Sequence, residues 1–260
     1  MLMKLKIYYL WLNKLKISKS FLLKCVCQIS VEEFTEIRKQ IFSANYLQSL
    51  FGRLLIRYSL AKEKFNWQSQ LSRQDNGKPF IVNEHFFFNL AHQHNMVGVA
   101  GSNETNIGID IVSLSERIPV NIEDYIKSMS KVNHPAEIDF INNSANQLHC
   151  FLRIWALKES YAKMVGIGIC TDLSKIQFMI NEKLQNFVTS TKLKINDIDI
   201  DCYFSEFLID EHILTVCTTN KCQHIIKNIN QDELLKLMPC ETSVKPECNI
   251  WNEYLNKKTK

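Results

Sequence analysis

Glycine and proline are scarce, at seven and five residues in a chain of 260, which leaves little material for long flexible linkers. Long apolar runs are missing as well. The opening "MLMKLKIYYLWLNKLKISKSFLLKCVC" begins like a charged, apolar leader, but Lys4, Lys6, Lys14, Lys16, Lys19 and Lys24 interrupt each run. Neither a membrane span of about 20 residues nor a clean signal core is present in it. Its alternation fits early strands, and we expect a cytosolic chain. Paired cysteine knuckles are also absent. Of nine cysteines, the close pairs are "CVC" at 25–27 and "CTTNKC" at 217–222, and neither has the spacing of a structural zinc site. An odd count without a convincing leader points to reduced thiols. Finally, the net charge is only +4, with no dense Lys/Arg stripe interleaved with aromatics. That argues against a nucleic-acid binder while permitting an acidic partner or a phosphate-rich ligand.

What is present is the composition of an ordinary globular protein, 46% hydrophobic and 22% charged, long enough for two lobes. Residues 5–12 and 21–29 read as strands, and Ser30 with Glu33 forms a capping box opening a helix. Leu47, Leu50, Phe51, Leu54, Leu55, Tyr58 and Ala61 then recur at helical spacing, with Arg53 and Arg57 on a neighbouring face. "DNGKPF" at 75–80 signals a turn; "HFFFNLAH" and "MVGVAGS" read as strands around a polar connection holding His92, Gln93, His94 and Asn95. A second half starts with the strand "NIGIDIVSL" at 106–114, where Gly108 permits a close backbone approach. Helical pieces over 121–149, a long helix, and strands at "KIQFMI", "DIDCYFSEFLI" and "HILTVCTT" follow, the last two joined by a hairpin at "IDEH". The expected fold is therefore α+β and pseudo-duplicated. Its two lobes span 1–103 and 104–220, each a long helix packed on antiparallel strands, and residues 221–260 form a lysine-rich C-terminal extension.

Two features raise chemical questions. Asp110 is a lone carboxylate inside an apolar strand, where an unpaired charge is costly. It is either paired with a Lys or Arg at the strand end, or it is one of two oxygen ligands for Mg²⁺, with Glu159 the other. The helix "FLRIWALKESYAKMVGIG" at 151–168 is apolar over most of its surface, yet it keeps Glu159 and Lys163 on one edge, four residues apart. A surface salt bridge there contributes only about 0.3–0.5 kcal/mol. Gly166 and Gly168 suit a helix end.

The ordered set "GRLLIRYSLAKEK", "GKPF", "FFFNLAHQ", "IGIDI" and "FLRIWALKESYAKMVGIG" resembles the 4′-phosphopantetheinyl transferase family over roughly residues 30–220. It looks most like the eukaryotic branch acting with aminoadipate-semialdehyde dehydrogenase. "WALKES" with Lys163 four residues after Glu159, combined with "GID", is the specific part of the match. The resemblance implies Mg²⁺-dependent transfer of phosphopantetheine from coenzyme A to a serine of an acyl- or peptidyl-carrier protein domain, releasing adenosine 3′,5′-bisphosphate. It implies Asp110 and Glu159 as metal ligands and Glu159 as the group assisting proton removal. Arg73, Lys78, Asn89 and His92 become coenzyme A contacts, with Lys163 also facing the coenzyme and Gln93 a weaker candidate. A monomer steered to acidic carrier domains is the implied form.

Three positions depart from the family pattern. Val112 stands two residues after Asp110, where many bacterial members carry another acid, and Ala91 precedes His92 where a hydroxyl residue is common. An N-terminal arginine that binds coenzyme A in relatives aligns with Glu36, with Arg38 nearby. The rival from another class is a coenzyme-A-binding regulatory module without transfer activity.

Overall fold

In the computed structural model, which describes residues 3–115, 121–166, 172–239 and 249–259, the lysine-interrupted opening forms β1 (Met3–Trp11). Alternation makes this strand two-sided. Leu5 and Ile7 enter one apolar cluster, Tyr8 and Leu10 another. The expected strand over 21–29 is instead α1 (Lys19–Val26). Ser18 caps it by accepting the Phe21 N–H, and Phe21, Leu22, Cys25 and Val26 are buried at helical spacing. A short apolar run does not distinguish the two periods, and here the serine cap decides for the helix.

The capping box is present as expected at α2 (Val31–Arg38), and the long helix follows as α3 (Ser43–Lys62). The "DNGKPF" turn closes a hairpin of β2 (Leu71–Arg73) and β3 (Pro79–Ile81). β4 (Phe87–Gln93) and β5 (Met96–Ser102) then pair antiparallel. The connection between them is shorter than expected, because His92 and Gln93 belong to the strand and only His94 and Asn95 turn, His94 with φ of 49°.

The remaining elements are β6 (Ile107–Ser113), α4 (Ile122–Ser128), α5 (Pro135–Asn142), α6 (Gln147–Val165), β7 (Ile176–Met179), β8 (Phe187–Val188), β9 (Lys192–Ile195), β10 (Ile198–Ile200), β11 (Tyr203–Ile209), β12 (His212–Thr218), β13 (Cys222–Asn228), α7 (Gln231–Leu237) and α8 (Ile250–Leu255). Four-stranded sheets of order β13-β1-β5-β4 and β6-β12-β11-β8 lie face to face. Between them sits a core that includes Leu5, Ile7, Ile109, Ile111, Leu214 and Val216. Helices α1–α3 cover the outer face of the first sheet and α6 the outer face of the second. A three-stranded sheet β10-β9-β7 flanks the second.

One pairing departs from the expected antiparallel pattern. β13, from the segment read as an extension, runs parallel to β1, Leu5 opposite His224. α7 and α8 follow it into the first core through Leu234 and Ile250. A parallel partner requires a long crossover, here nearly the whole chain, and no local pattern encodes that.

α6 ends at Gly166, which takes the left-handed conformation at φ of 75° and returns its N–H to the Ala162 carbonyl at 2.9 Å. Gly168, the other expected helix-end glycine, lies outside the described residues. α6 also rests directly on β6 at Gly108. A Cβ placed there meets the Ser160 carbonyl oxygen at 1.9 Å and the Met164 nitrogen at 2.4 Å. Both obstacles are backbone atoms, so the helix has to move. Gly108→Ala is expected to cost more than about 3 kcal/mol, beyond ordinary overpacking, in urea denaturation. A loss below about 1 kcal/mol would mean that the contact is not tight.

Candidate functional site

Strand alternation sorts β6. Ile107, Ile109 and Ile111 enter the core between the sheets, so Gly108, Asp110 and Val112 face α6. The close approach at Gly108 brings the last turns of α6 over Asp110. Lys163 donates from Nζ to Asp110 Oδ1 at 2.5 Å. Lys163 thus takes a partner on another element, not Glu159 one turn earlier on its own helix.

The Asp110 carboxyl is buried, and its pKa is pushed up from an ordinary 3.8 to about 6. Burial is the main cause. The charge and hydrogen bond of Lys163 work against it, nearby Glu159 raises it further, and the Ile111 N–H lowers it. Glu159 is half-buried and accepts no hydrogen bond among the described residues. Two carboxylates and one ammonium thus share a small space at the edge of α6. Among the described residues no group of three or more His, Cys, Asp or Glu side chains gathers at a metal position. A pair of carboxylates suits Mg²⁺, which retains waters and is commonly completed by phosphate oxygens.

Lys78 reaches the same helix. From the β2–β3 hairpin its Nζ donates to the Met164 carbonyl at 2.9 Å and the Ile107 carbonyl at 3.3 Å, while Asn76 Nδ2 donates to the Gly166 carbonyl at 3.0 Å. A cation at a helix C-terminus is favourably placed, though burial holds the Lys78 pKa below its ordinary value. Asn89 sits elsewhere, buried between strands, where its Oδ1 accepts the Ile109 N–H at 3.1 Å. Four residues on, Gln93 Oε1 accepts the Ser113 N–H at 2.6 Å. These two amides join the edge of the first sheet to that of the second.

His92 is exposed and, with Gln48 and Ser49 of α3, lines a cavity of about 440 Å³. Arg73 is exposed on the hairpin, donates to the Gly77 carbonyl at 2.8 Å and lies close enough to Arg53 to repel it. The fold therefore gathers Asp110, Glu159 and Lys163 into one site, with Lys78 at the end of the same helix. Arg73 and His92 are associated with α3.

The departures from the family pattern have plain packing counterparts. Val112 is buried in an apolar cluster with Phe151 and Ile154 of α6, and Ala91 is buried between the sheets. Arg38 binds Glu253 of α8 at 2.9 and 2.5 Å, and Glu36 pairs with Lys39 at 2.6 Å.

Sequence reasoning missed Lys158. It is fully buried, donates to the carbonyls of Val132, Leu173 and Ile176 at 2.8–3.0 Å, and pairs with Glu137 at 2.8 Å. It braces α6 one residue before Glu159, and its charge inside an apolar helix was the available signal. Thr215, opposite Asp110 on β12, was also missed; its buried hydroxyl has no partner among the described residues.

Comparison with known proteins points to one family. A profile described as the 4′-phosphopantetheinyl transferase superfamily matches residues 106–217, and one for the 4′-phosphopantetheinyl transferase N-terminal region matches 16–104. The chain is similar to proteins named L-aminoadipate-semialdehyde dehydrogenase-phosphopantetheinyl transferase. Against that of Xenopus laevis it is 28% identical over 217 residues, 78% of this chain and 72% of the relative. Against that of Mus musculus the identity is 30%, covering 74% and 67% of the two chains, and against that of Homo sapiens 30%, covering 75% and 68%. Among the described residues no helix is long and apolar enough to cross a membrane.

The raised Asp110 pKa has a stability consequence. Without metal or coenzyme A, the folded protein keeps this proton up to about pH 6, whereas the unfolded chain releases it near 3.8. Stability therefore falls as pH rises through that window and stays lower above it. Asp110→Asn is expected to be more stable than the parent at pH 8 by up to about 3 kcal/mol, with the gap closing by pH 4, in paired denaturant titrations. An equal gap at both pH values would show that the buried charge is not the cause.

Proposed function

The chain belongs to the 4′-phosphopantetheinyl transferase superfamily, and from that membership we propose that it moves phosphopantetheine from coenzyme A to a serine of an apo acyl- or peptidyl-carrier domain. Adenosine 3′,5′-bisphosphate is the other product. The observation that carries this reading is the meeting of Asp110, Glu159 and Lys163 across β6 and α6.

The serine hydroxyl attacks the phosphorus next to the pantetheine arm, and the bond from that phosphorus to the bridging pyrophosphate oxygen breaks. This step needs charge neutralisation, alignment and removal of the hydroxyl proton. Asp110 and Glu159 would hold Mg²⁺, a role that fits two neighbouring carboxylates that repel one another and, among the described residues, share only Lys163 as a cation. Bound there, Mg²⁺ supplies neutralisation of the pyrophosphate charge. Glu159 assists in accepting the serine proton. Lys163 leaves Asp110 for the pyrophosphate and balances the charge that develops on the departing bisphosphate. Lys78, Arg73 and His92 contact the coenzyme, while Asn89 holds the strand that carries His92 against β6.

In this reading residues 1–103 and 104–220 are pseudo-duplicated lobes, with α3 backing one sheet and α6 the other. The segment 221–260 is the extension, tied to the first lobe by β13. The protein acts as a cytosolic monomer, and its net positive charge suits acidic carrier domains.

Incubation with coenzyme A, Mg²⁺ and a panel of apo carriers should add the mass of one phosphopantetheine arm to a carrier serine. Asp110→Ala and Glu159→Gln should abolish the gain, and Lys163→Ala should lower kcat/KM by about 100-fold or more. Folded parent protein that modifies no carrier across the panel would defeat the proposal.

A further inference from the structure

On the face of the second sheet that α6 covers, three polar side chains stand in one row across neighbouring strands: Asp110 on β6, Thr215 on β12 and Glu206 on β11. Thr215 and Glu206 are fully buried, and Asp110 is nearly so. The two carboxylates are supported unequally. Glu206 accepts two hydrogen bonds from Arg153, at 2.5 and 2.9 Å, and one from the Thr191 hydroxyl at 2.5 Å. Asp110 has Lys163 on one oxygen and the Ile111 N–H. Between them, the Thr215 hydroxyl has no partner among the described residues.

A hydroxyl buried without a hydrogen bond is destabilising, and a valine of nearly the same shape would avoid that loss. A threonine at this position is therefore suited to a state in which it gains an acceptor. Glu206 is already supplied with donors, which leaves Asp110. Side chains directly opposite on antiparallel strands have Cβ atoms about 4.5–5.5 Å apart, a gap that a hydroxyl-to-carboxylate hydrogen bond spans once χ1 of the threonine takes the right staggered position. In the transferase reading such a state arises when Lys163 leaves Asp110 for the pyrophosphate. Asp110 then loses its one cationic donor, and a carboxylate that holds a metal ion needs a hydrogen bond on its other oxygen to keep its orientation.

Resting on that reading, we propose that Thr215 is the positioning residue of Asp110: once Lys163 withdraws, the Thr215 hydroxyl donates to the Asp110 oxygen turned away from Mg²⁺ and fixes the carboxylate as a ligand. Arg153 and Thr191 hold Glu206 on the far side of the row, so the hydroxyl turns to Asp110 without a competing acceptor there.

Calorimetric titration of the full chain with coenzyme A, in Mg²⁺ and in EDTA, tests this. The parent should bind coenzyme A about tenfold or more tightly in Mg²⁺. Thr215→Val should lose most of that gain by weakening binding in Mg²⁺ alone, and Thr215→Ser, which keeps the hydroxyl, should retain it. Without metal or coenzyme A, Thr215→Val should unfold in urea at or above the parent's midpoint, because it removes an unpaired hydroxyl. A gain that survives Thr215→Val, an equal loss in Mg²⁺ and in EDTA, or a loss in Thr215→Ser as large as in Thr215→Val overturns the assignment while leaving the transferase reading intact. So does a Thr215→Val protein that fails to fold or unfolds well below the parent's midpoint, since the hydroxyl then serves the fold itself. A parent that binds coenzyme A no better in Mg²⁺ than in EDTA removes the metal role of Asp110 and this proposal with it, and a parent that binds no coenzyme A sinks the transferase reading.

Discussion

The backbone of α6 lies against β6 at Gly108, closer than any side chain there would permit, and the geometry of the site follows from that contact. Two residues along the same face of the strand, Asp110 comes under the edge of the helix that carries Glu159 and Lys163. A helix displaced by the volume of one methyl group would carry Lys163 away from Asp110 and leave a buried carboxylate without its cation. Glycine, aspartate and valine at alternate positions therefore have distinct duties on one face: close approach, charge, and packing against Phe151 and Ile154.

Such a helix needs anchoring along its length, and buried ion pairs supply it. Arg153 binds Glu206 through two hydrogen bonds, at 2.5 and 2.9 Å, and donates to the Glu182 carbonyl at 2.7 Å. Thr191 adds a further hydrogen bond to Glu206. Lys158 gathers three carbonyls and Glu137, whose other oxygen accepts the Phe178 N–H. In both networks nearly every polar atom is satisfied, so the cost of burying charge is offset by hydrogen bonds and the result is rigidity. Asp110 differs: burial and Glu159 both oppose its charge, and only Lys163 and one N–H favour it. Unfavourable charge concentrated beside well-satisfied networks is the pattern expected of a site shaped for a ligand.

Legibility in the sequence tracked the range of the interaction. The Ser30–Glu33 capping box, the turn at Asn76–Gly77 and the hairpin at Asp210–Glu211 rest on contacts within a few residues, and each formed as expected. The segment 21–29 is a helix and not the expected strand because a short apolar run has no unambiguous period, and the Ser18 cap together with burial in the first core selects the helix. Asp110, Glu159 and Lys163 could be picked out as a charge in an apolar strand and a charged edge on an apolar helix. Lys158, a charge buried within the same apolar helix, carries the same kind of signal.

By itself the sequence determined what is local: which segments cap, turn and alternate, and that a lone carboxylate on a strand and a Glu–Lys edge on a helix required partners. Only the tertiary structure decided who those partners are. It turned Lys163 to Asp110 instead of Glu159, assigned Asn89 and Gln93 to joining two sheet edges, and returned β13 to lie parallel to β1. The physical reason is that pairing across twenty or more residues depends on how whole layers stack, and layer stacking is set by the summed burial of many side chains, not by any short pattern.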